Sequence, residues 1–158
     1  MKKINIAIIG LGQIGSRLYK EILSKKKDIR VKTGTDVNIL AISAKNINKK
    51  RNFKFNKNIF YRNPLKITQN KNINIIFELI GLSDGISKKI VETALKNKIH
   101  VVTANKALIA KHGDYLSQLA EINNVNLEFE AAVGGGIPIL RTIKDGLSTN
   151  KIHKVVGI

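Results

Sequence analysis

Ile4-Asn5-Ile6-Ala7-Ile8-Ile9-Gly10-Leu11-Gly12-Gln13-Ile14-Gly15 is the stretch that decides the fold. An apolar run broken only by Asn5 leads straight into three spaced glycines, and an amphipathic stretch follows from Ser16 to Ser24. Strand, glycine turn and helix, in that order, make a dinucleotide site. The first glycine permits the tight turn, the second lets a pyrophosphate approach the backbone, and the third lets helix and strand pack closely. The phosphates then sit at the positive end of the helix.

Working outward, the same alternation continues. Val37 to Ala44 reads as a second strand, followed by a polar, basic loop from Lys45 to Asn58 and punctuation at Asn63-Pro64. Ile73 to Ile80 reads as a buried strand ending at Gly81. Ser83 to Lys96 then places Ile86, Ile90, Val91, Ala94 and Leu95 at helical spacing, with Ser83 as N-cap. Ile99 to Thr103 is the next strand, and Lys106 to Asn123 a helix interrupted near Gly113. Val125 to Glu130 is a strand, Pro138 to Ser148 a helix with proline early, and Ile152 to Ile158 the start of another strand. Strands alternating with helices predict an α/β fold, a Rossmann-type doubly wound parallel sheet. The expected division is a nucleotide-binding domain over 1–150 and the first residues of a substrate domain over 151–158, where the chain reads as truncated.

At 158 residues the chain is long enough to bury a core without disulfides. It contains no cysteine, which rules out a thiolate zinc site or a thiol nucleophile in these residues and suits a reducing cytoplasm. The opening apolar run is too short for a secretory or membrane segment, so no membrane partner is expected. The formal charge of +17 raises nucleic acid as a partner, yet no aromatic stacking platform accompanies it. The excess of lysine, with asparagine and isoleucine, also matches the bias of an A/T-rich coding sequence. The field is local: residues 20 to 62 hold thirteen of the 28 basic side chains and three of the 11 acidic ones. An anionic cofactor would profit from it.

Chemistry-bearing residues fall at strand ends. An NAD site usually places a carboxylate after the second strand to take the ribose hydroxyls. Here that strand ends in Lys45, with Lys49, Lys50 and Arg51 behind it, which favours a 2′-phosphate and so NADP; solvated loop lysines are the alternative. Ser83 reads either as a ribose or phosphate contact or as a helix cap. Thr103, Asn105 and Lys106 close an apolar run at the cleft lip, and Lys106 is either a surface charge or a proton donor and carboxylate anchor beside a nicotinamide. Glu130 faces three successive glycines before Pro138. One carboxylate with several backbone carbonyls suits a hard monovalent cation better than zinc or calcium, while capping of the following helix is the other reading.

Taken together, four phrases closely resemble the homoserine dehydrogenase family: the glycine turn Gly10 to Gly15, Glu78-Leu79-Ile80-Gly81-Leu82, Val101 to Ala110, and Phe129 to Ile139 with Arg141. The resemblance implies reversible NADP- or NAD-dependent reduction of L-aspartate 4-semialdehyde to L-homoserine, on the route to threonine, methionine and isoleucine. It implies that Gly10, Gly12, Gln13, Ile14 and Gly15 hold the pyrophosphate and that Lys45 lies near the adenosine 2′ position. Lys106 would be the active-site lysine contacting nicotinamide and substrate. Glu130, with the carbonyls of Val133, Gly135 and Ile137, would form a structural sodium site. Leu82 departs from the family's second glycine. A homodimer is expected of the full-length protein, and a substrate domain is expected beyond Ile158. A phosphorylating semialdehyde dehydrogenase would need a cysteine for its thiohemiacetal, which this sequence lacks. A stand-alone nucleotide-sensing module would leave Lys106 and Glu130 without a role.

Overall fold

The computed structural model describes residues 1–156. Five parallel strands form one sheet: β1 (Lys2–Ile9), β2 (Thr35–Ser43), β3 (Ile75–Glu78), β4 (His100–Thr103) and β5 (Leu127–Glu128), in the order β2-β1-β3-β4-β5. Consecutive residues of β1 serve opposite faces. Ala7 and Ile9 pack with Ile76, Val101, Ile90 and Leu116, whereas Ile6 and Ile8 pack with Tyr19, Ile22 and Ile42. With both faces covered, β1 reads as a nearly continuous apolar run.

The helices that cover the sheet follow their apolar stripes. α1 (Gln13–Ser24) lays Gly15, Tyr19 and Ile22 on one face; α3 (Ile86–Lys96) and α4 (Lys106–Ile122) lay Ile90, Ala94, Leu95, Leu108 and Leu116 on the other. This is the doubly wound arrangement expected. Beyond β2, Phe60 makes a single parallel bridge with Ile42; the Tyr61 N–H donates to the Ile42 carbonyl at 2.9 Å, and the Ser43 hydroxyl donates to the Tyr61 carbonyl at 2.7 Å. This rudiment occupies the place of the outer third strand in the dinucleotide-binding strand order.

Several elements differ from the sequence reading. α2 (Lys26–Thr33) buries no residue, so it carries no apolar stripe to read; Gly34, at φ +65°, ends it in a left-handed cap. Gly113 does not interrupt α4. A Cβ there would lie 3.2 Å from Cγ2 of Ile109, so the glycine gives that side chain room. Ser83 is not the cap of α3: the helix starts at Ile86 with Gly85 at the cap position and no side-chain cap. β5 stops at Glu128, and Glu130 instead opens a one-turn helix, α5 (Glu130–Val133). The helix expected over 138–148 is a turn, α6 (Ile139–Arg141), followed by a π-helical turn over Thr142–Gly146. Residues 152–156 form no strand and are exposed, and the end of that expected strand, Gly157 and Ile158, lies outside the described residues.

Candidate active site

Because the strands are parallel and nearly in register, their carboxyl ends line up. Ile9 sits opposite both Ser43 and Glu78, Glu78 opposite Thr103, and Val102 opposite Glu128. The turns after the strands therefore share one edge, and Gly10, Lys45, Ser83, Asn105, Lys106 and Glu130 each follow a strand end along it.

The glycine turn comes first. Gly10 adopts φ +104°, and a Cβ on it would approach the Leu79 carbonyl oxygen to 2.5 Å; a Cβ on Gly15 would collide with the Gly10 carbonyl. Neither position admits a side chain. Gly12 meets nothing within 4 Å, which leaves its outer side open for a ligand to approach the backbone. α1 begins at Gln13 with no side-chain cap and no acidic residue in its first turn, so the amides of Gln13, Ile14 and Gly15 are left for an anion. Ile14 is an apolar side chain 60% exposed at that point. This geometry fits a dinucleotide pyrophosphate.

Lys45 is exposed two residues after β2 and lines a hollow of about 370 Å³ with Ala44, Asn46, Ile47, Asn48, Phe60 and Arg62. Arg62 is the cation the sequence reading missed, since only the bridge at Phe60 brings it back beside Lys45. Lys49, Lys50 and Arg51 line a different groove of about 420 Å³ with Gly12, Gln13, Arg17 and Lys20. Arg51 is not a free charge. Its guanidinium donates to the carbonyls of Asn46 (3.0 Å), Ile47 (3.3 Å), Lys49 (3.0 Å) and Leu11 (3.4 Å), stapling the basic loop to the glycine turn. A wider concavity, about 640 Å³, lies at the amino ends of the strands against Lys2, Lys71 and Lys98. It is remote from the glycine turn, so size is a worse guide here than the position of the polar groups.

At the lip after β3, Ser83 donates to the Asp84 carboxylate at 2.7 Å. Asp84 in turn receives Lys111 Nζ at 2.8 Å and faces His112 Nε2 at 2.9 Å, both from α4. The Lys111 ammonium foremost, then the His112 ring and the Ser83 hydroxyl, hold the Asp84 carboxyl well below the usual carboxylate range. After β4, Asn105 caps α4, its Oδ1 accepting the Leu108 N–H at 3.1 Å, and Lys106 follows as the exposed first residue of the helix. Lys106 thus stands on a buried footing, one strand removed from the Leu79 carbonyl that packs on Gly10.

Glu130 is placed by the start of α5, and both its oxygens accept backbone N–H groups, Oε1 from Leu140 and Oε2 from Arg141, each at 3.0 Å. The capping reading of Glu130 therefore describes this structure. Val133 ends α5, and Gly135 and Ile137 follow on the loop that the carboxylate closes; all three are exposed. Among the described residues no group of three or more His, Cys, Asp or Glu side chains comes together.

An open glycine turn, an uncapped helix start and polar residues from successive strands along one edge define a dinucleotide-binding α/β domain. A family model described as "Homoserine dehydrogenase, NAD binding domain" matches residues 10–130, and the chain belongs to that family as its NAD-binding part. It is 36% identical to the homoserine dehydrogenase of Bacillus subtilis over 158 residues, all of this chain and 36% of that protein. Its fold is similar to the crystal structure of a homoserine dehydrogenase from Thiobacillus denitrificans, with a TM-score of 0.82 at 31% identity over 95% of this chain and 34% of that one. It is also similar to a hyperthermophilic archaeal homoserine dehydrogenase in complex with NADPH, with a TM-score of 0.69 at 25% identity over 89% and 48% of the two chains. The chain thus spans about a third of the length of the curated relatives it matches. No helix among the described residues is long and apolar enough to cross a membrane.

Proposed function

We propose that this chain is the nucleotide-binding part of an NADP-preferring homoserine dehydrogenase that interconverts L-aspartate 4-semialdehyde and L-homoserine in the cytoplasm, on the way to threonine, methionine and isoleucine. The observation that carries it is the position of Lys106, the first residue of α4, fixed by the Asn105 cap on the edge that holds the glycine turn. The reduced dinucleotide supplies the hydride. The chain's own groups do the rest. The turn Gly10 to Gly15, with Gln13 and Ile14, holds the pyrophosphate on the start of α1, and Lys45 with Arg62 favours a 2′-phosphate over a bare ribose. Ser83 lines the nicotinamide side, with the buried side chains of Thr103 and Asn105 bracing the lip behind it. The Lys106 ammonium anchors the substrate and holds the proton that a developing alkoxide takes up. No covalent intermediate is required, which agrees with the absence of cysteine.

We further infer a structural sodium ion held by Glu130 and the carbonyls of Val133, Gly135 and Ile137, a donor set of one carboxylate and neutral oxygens suited to a hard monovalent cation. A carboxylate oxygen has room for a second partner beside the N–H it already accepts. A homodimer is the assembly expected of the whole enzyme.

The test is homoserine-dependent reduction of NADP and of NAD by a full-length homoserine dehydrogenase carrying this nucleotide-binding half. NADP is the expected better acceptor. Lys106→Ala is expected to lower kcat about a hundredfold or more, the range of a single acid–base group. Wild-type turnover by that variant would remove the lysine from the mechanism.

A further inference from the structure

Glu78, the last residue of β3, is the one carboxylate among the described residues that is fully buried, at 0% exposed. Its Oε1 accepts the Ile80 N–H at 2.9 Å and its Oε2 accepts the Thr103 hydroxyl at 2.7 Å. Thr103 Oγ1 in turn accepts the Asn105 N–H at 3.0 Å, and the Asn105 amide donates to the Leu82 carbonyl at 2.7 Å. The bonds close a ring: Glu78 to Thr103, Thr103 to Asn105, Asn105 to Leu82, and back along the chain through Ile80. Thr103 is 0% and Asn105 3% exposed, so water does not compete for these groups.

Two physical points mark this ring as more than packing. Burying a carboxylate is costly, and an apolar pair at 78 and 103 would fill a strand-to-strand contact at less expense. The directions also interlock: the Thr103 hydroxyl donates to Glu78, so its lone pair is left for the Asn105 N–H. Asn105 is then held at both ends of its side chain, with Oδ1 on Leu108 and Nδ2 on Leu82. The two turns locked together are the one after β3, whose Leu79 carbonyl packs on Gly10, and the one from which Lys106 projects.

We propose that Glu78 is a positioning residue for hydride transfer, acting through Thr103 and Asn105 to keep the cofactor-side turn at Leu82 and the Lys106 ammonium at one fixed spacing. The proposal rests on the reading of Lys106 given above. Glu78, fully buried, reaches neither cofactor nor substrate, and its effect belongs in the rate of the chemical step rather than in substrate binding.

The experiment is a double-mutant cycle in a full-length homoserine dehydrogenase carrying this half. Glu78→Gln keeps the shape but places an NH₂ where one oxygen accepted. It is expected to lower kcat about tenfold with the KM for homoserine changed less than about twofold, a misplacement effect. Combined with Lys106→Ala it is expected to add nothing, because the group it positions is gone. Thr103→Val cuts the same ring at its second member and is expected to match Glu78→Gln without adding to it; should Glu78→Gln not fold, the cycle runs on Thr103→Val and Lys106→Ala. A kcat unchanged in Glu78→Gln, or a tenfold loss that persists in the Lys106→Ala background, overturns the proposal while leaving the lysine in place. Wild-type turnover by Lys106→Ala overturns the lysine assignment and this proposal together.

Discussion

Residues 1–129 and residues 130–156 are built on different principles. The first stretch carries all five strands and every fully buried apolar side chain except Ala132. The second leaves Val133, Ile137, Ile139, Leu147, Ile152, Val155 and Val156 exposed, and what orders its middle is the pair of N–H bonds that Leu140 and Arg141 donate to Glu130. Burial holds one region, and polar contacts shape the other: Glu130 with Leu140 and Arg141, Arg141 with Asp145, and Lys144 over the Phe129 ring. The dinucleotide machinery lies in the buried region, while the inferred cation site lies on the anchored one, so the two functions should fail independently.

The sharpest way to break the first region is at its tightest contact. A side chain at Gly15 collides with the Gly10 carbonyl, which is backbone and cannot yield as a flexible side chain would. Gly15→Val is expected to cost more than about 4 kcal/mol, enough to unfold a marginal domain, and to abolish NADPH binding. Circular dichroism melting and NADPH fluorescence check it; a folded variant that binds the cofactor would mean that α1 can move away from the turn.

Core and tail can next be compared by the same chemical change. Leu116, 0% exposed between α4 and the sheet, leaves a cavity when cut to alanine, at a cost of about 3 kcal/mol and roughly 10 °C in Tm. Ile139, 40% exposed, should cost under about 0.5 kcal/mol when cut the same way. Equal losses at the two positions would show that the tail is buried in solution.

How far the sequence speaks follows the same division. Strands and helices that bury a face are legible because burial imposes a period: the run Ile4 to Ile9, the stripe from Ile86 to Leu95 and the helix start at Lys106 all fall where the sequence places them. α2 was not, because a helix with no buried residue has no period to display. Gly113 misled because glycine is a breaker by propensity, whereas here it makes room for Ile109. The positions along the carboxyl edge were legible from strand ends alone. The pairing of Lys45 with Arg62 was not, since it depends on one bridge between Ile42 and Phe60 across a polar loop. Glu130 was legible as a charged group beside glycines, but its partners Leu140 and Arg141 are backbone amides, which no sequence distinguishes.

The anchor itself gives a smaller, local prediction. Glu130→Gln keeps one acceptor oxygen and loses the charge that favours two N–H donors near a helix start. In sodium-free buffer, hydrogen exchange at Leu140 and Arg141 is expected to quicken about fivefold, equivalent to about 1 kcal/mol, while Tm and NADPH affinity stay within error. A large fall in Tm would show that the tail is integral to the core.

The smallest effect is expected where the buried region meets solvent, at Asp84, which ties the turn after β3 to α4 through Lys111 and His112. Its carboxyl is held below its ordinary 3.8 foremost by the hydrogen bond from Lys111, then by His112 and Ser83. A carboxyl whose folded pKa is depressed contributes stability that is fully present above the unfolded value and is lost as pH falls through the folded one. The latch should therefore hold across neutral and mildly acidic pH and weaken only as pH drops below about 4. Asp84→Asn removes the charge at every pH, so wild type and variant should differ slightly at pH 7 and converge in strong acid. Because the pair is open to solvent, added salt should shrink the difference at pH 7 as well. Melting curves from pH 7 to pH 3 at low and high salt read this directly, and a gap between the two proteins that widens toward acid would show that Lys111 and His112 repel the turn rather than hold it.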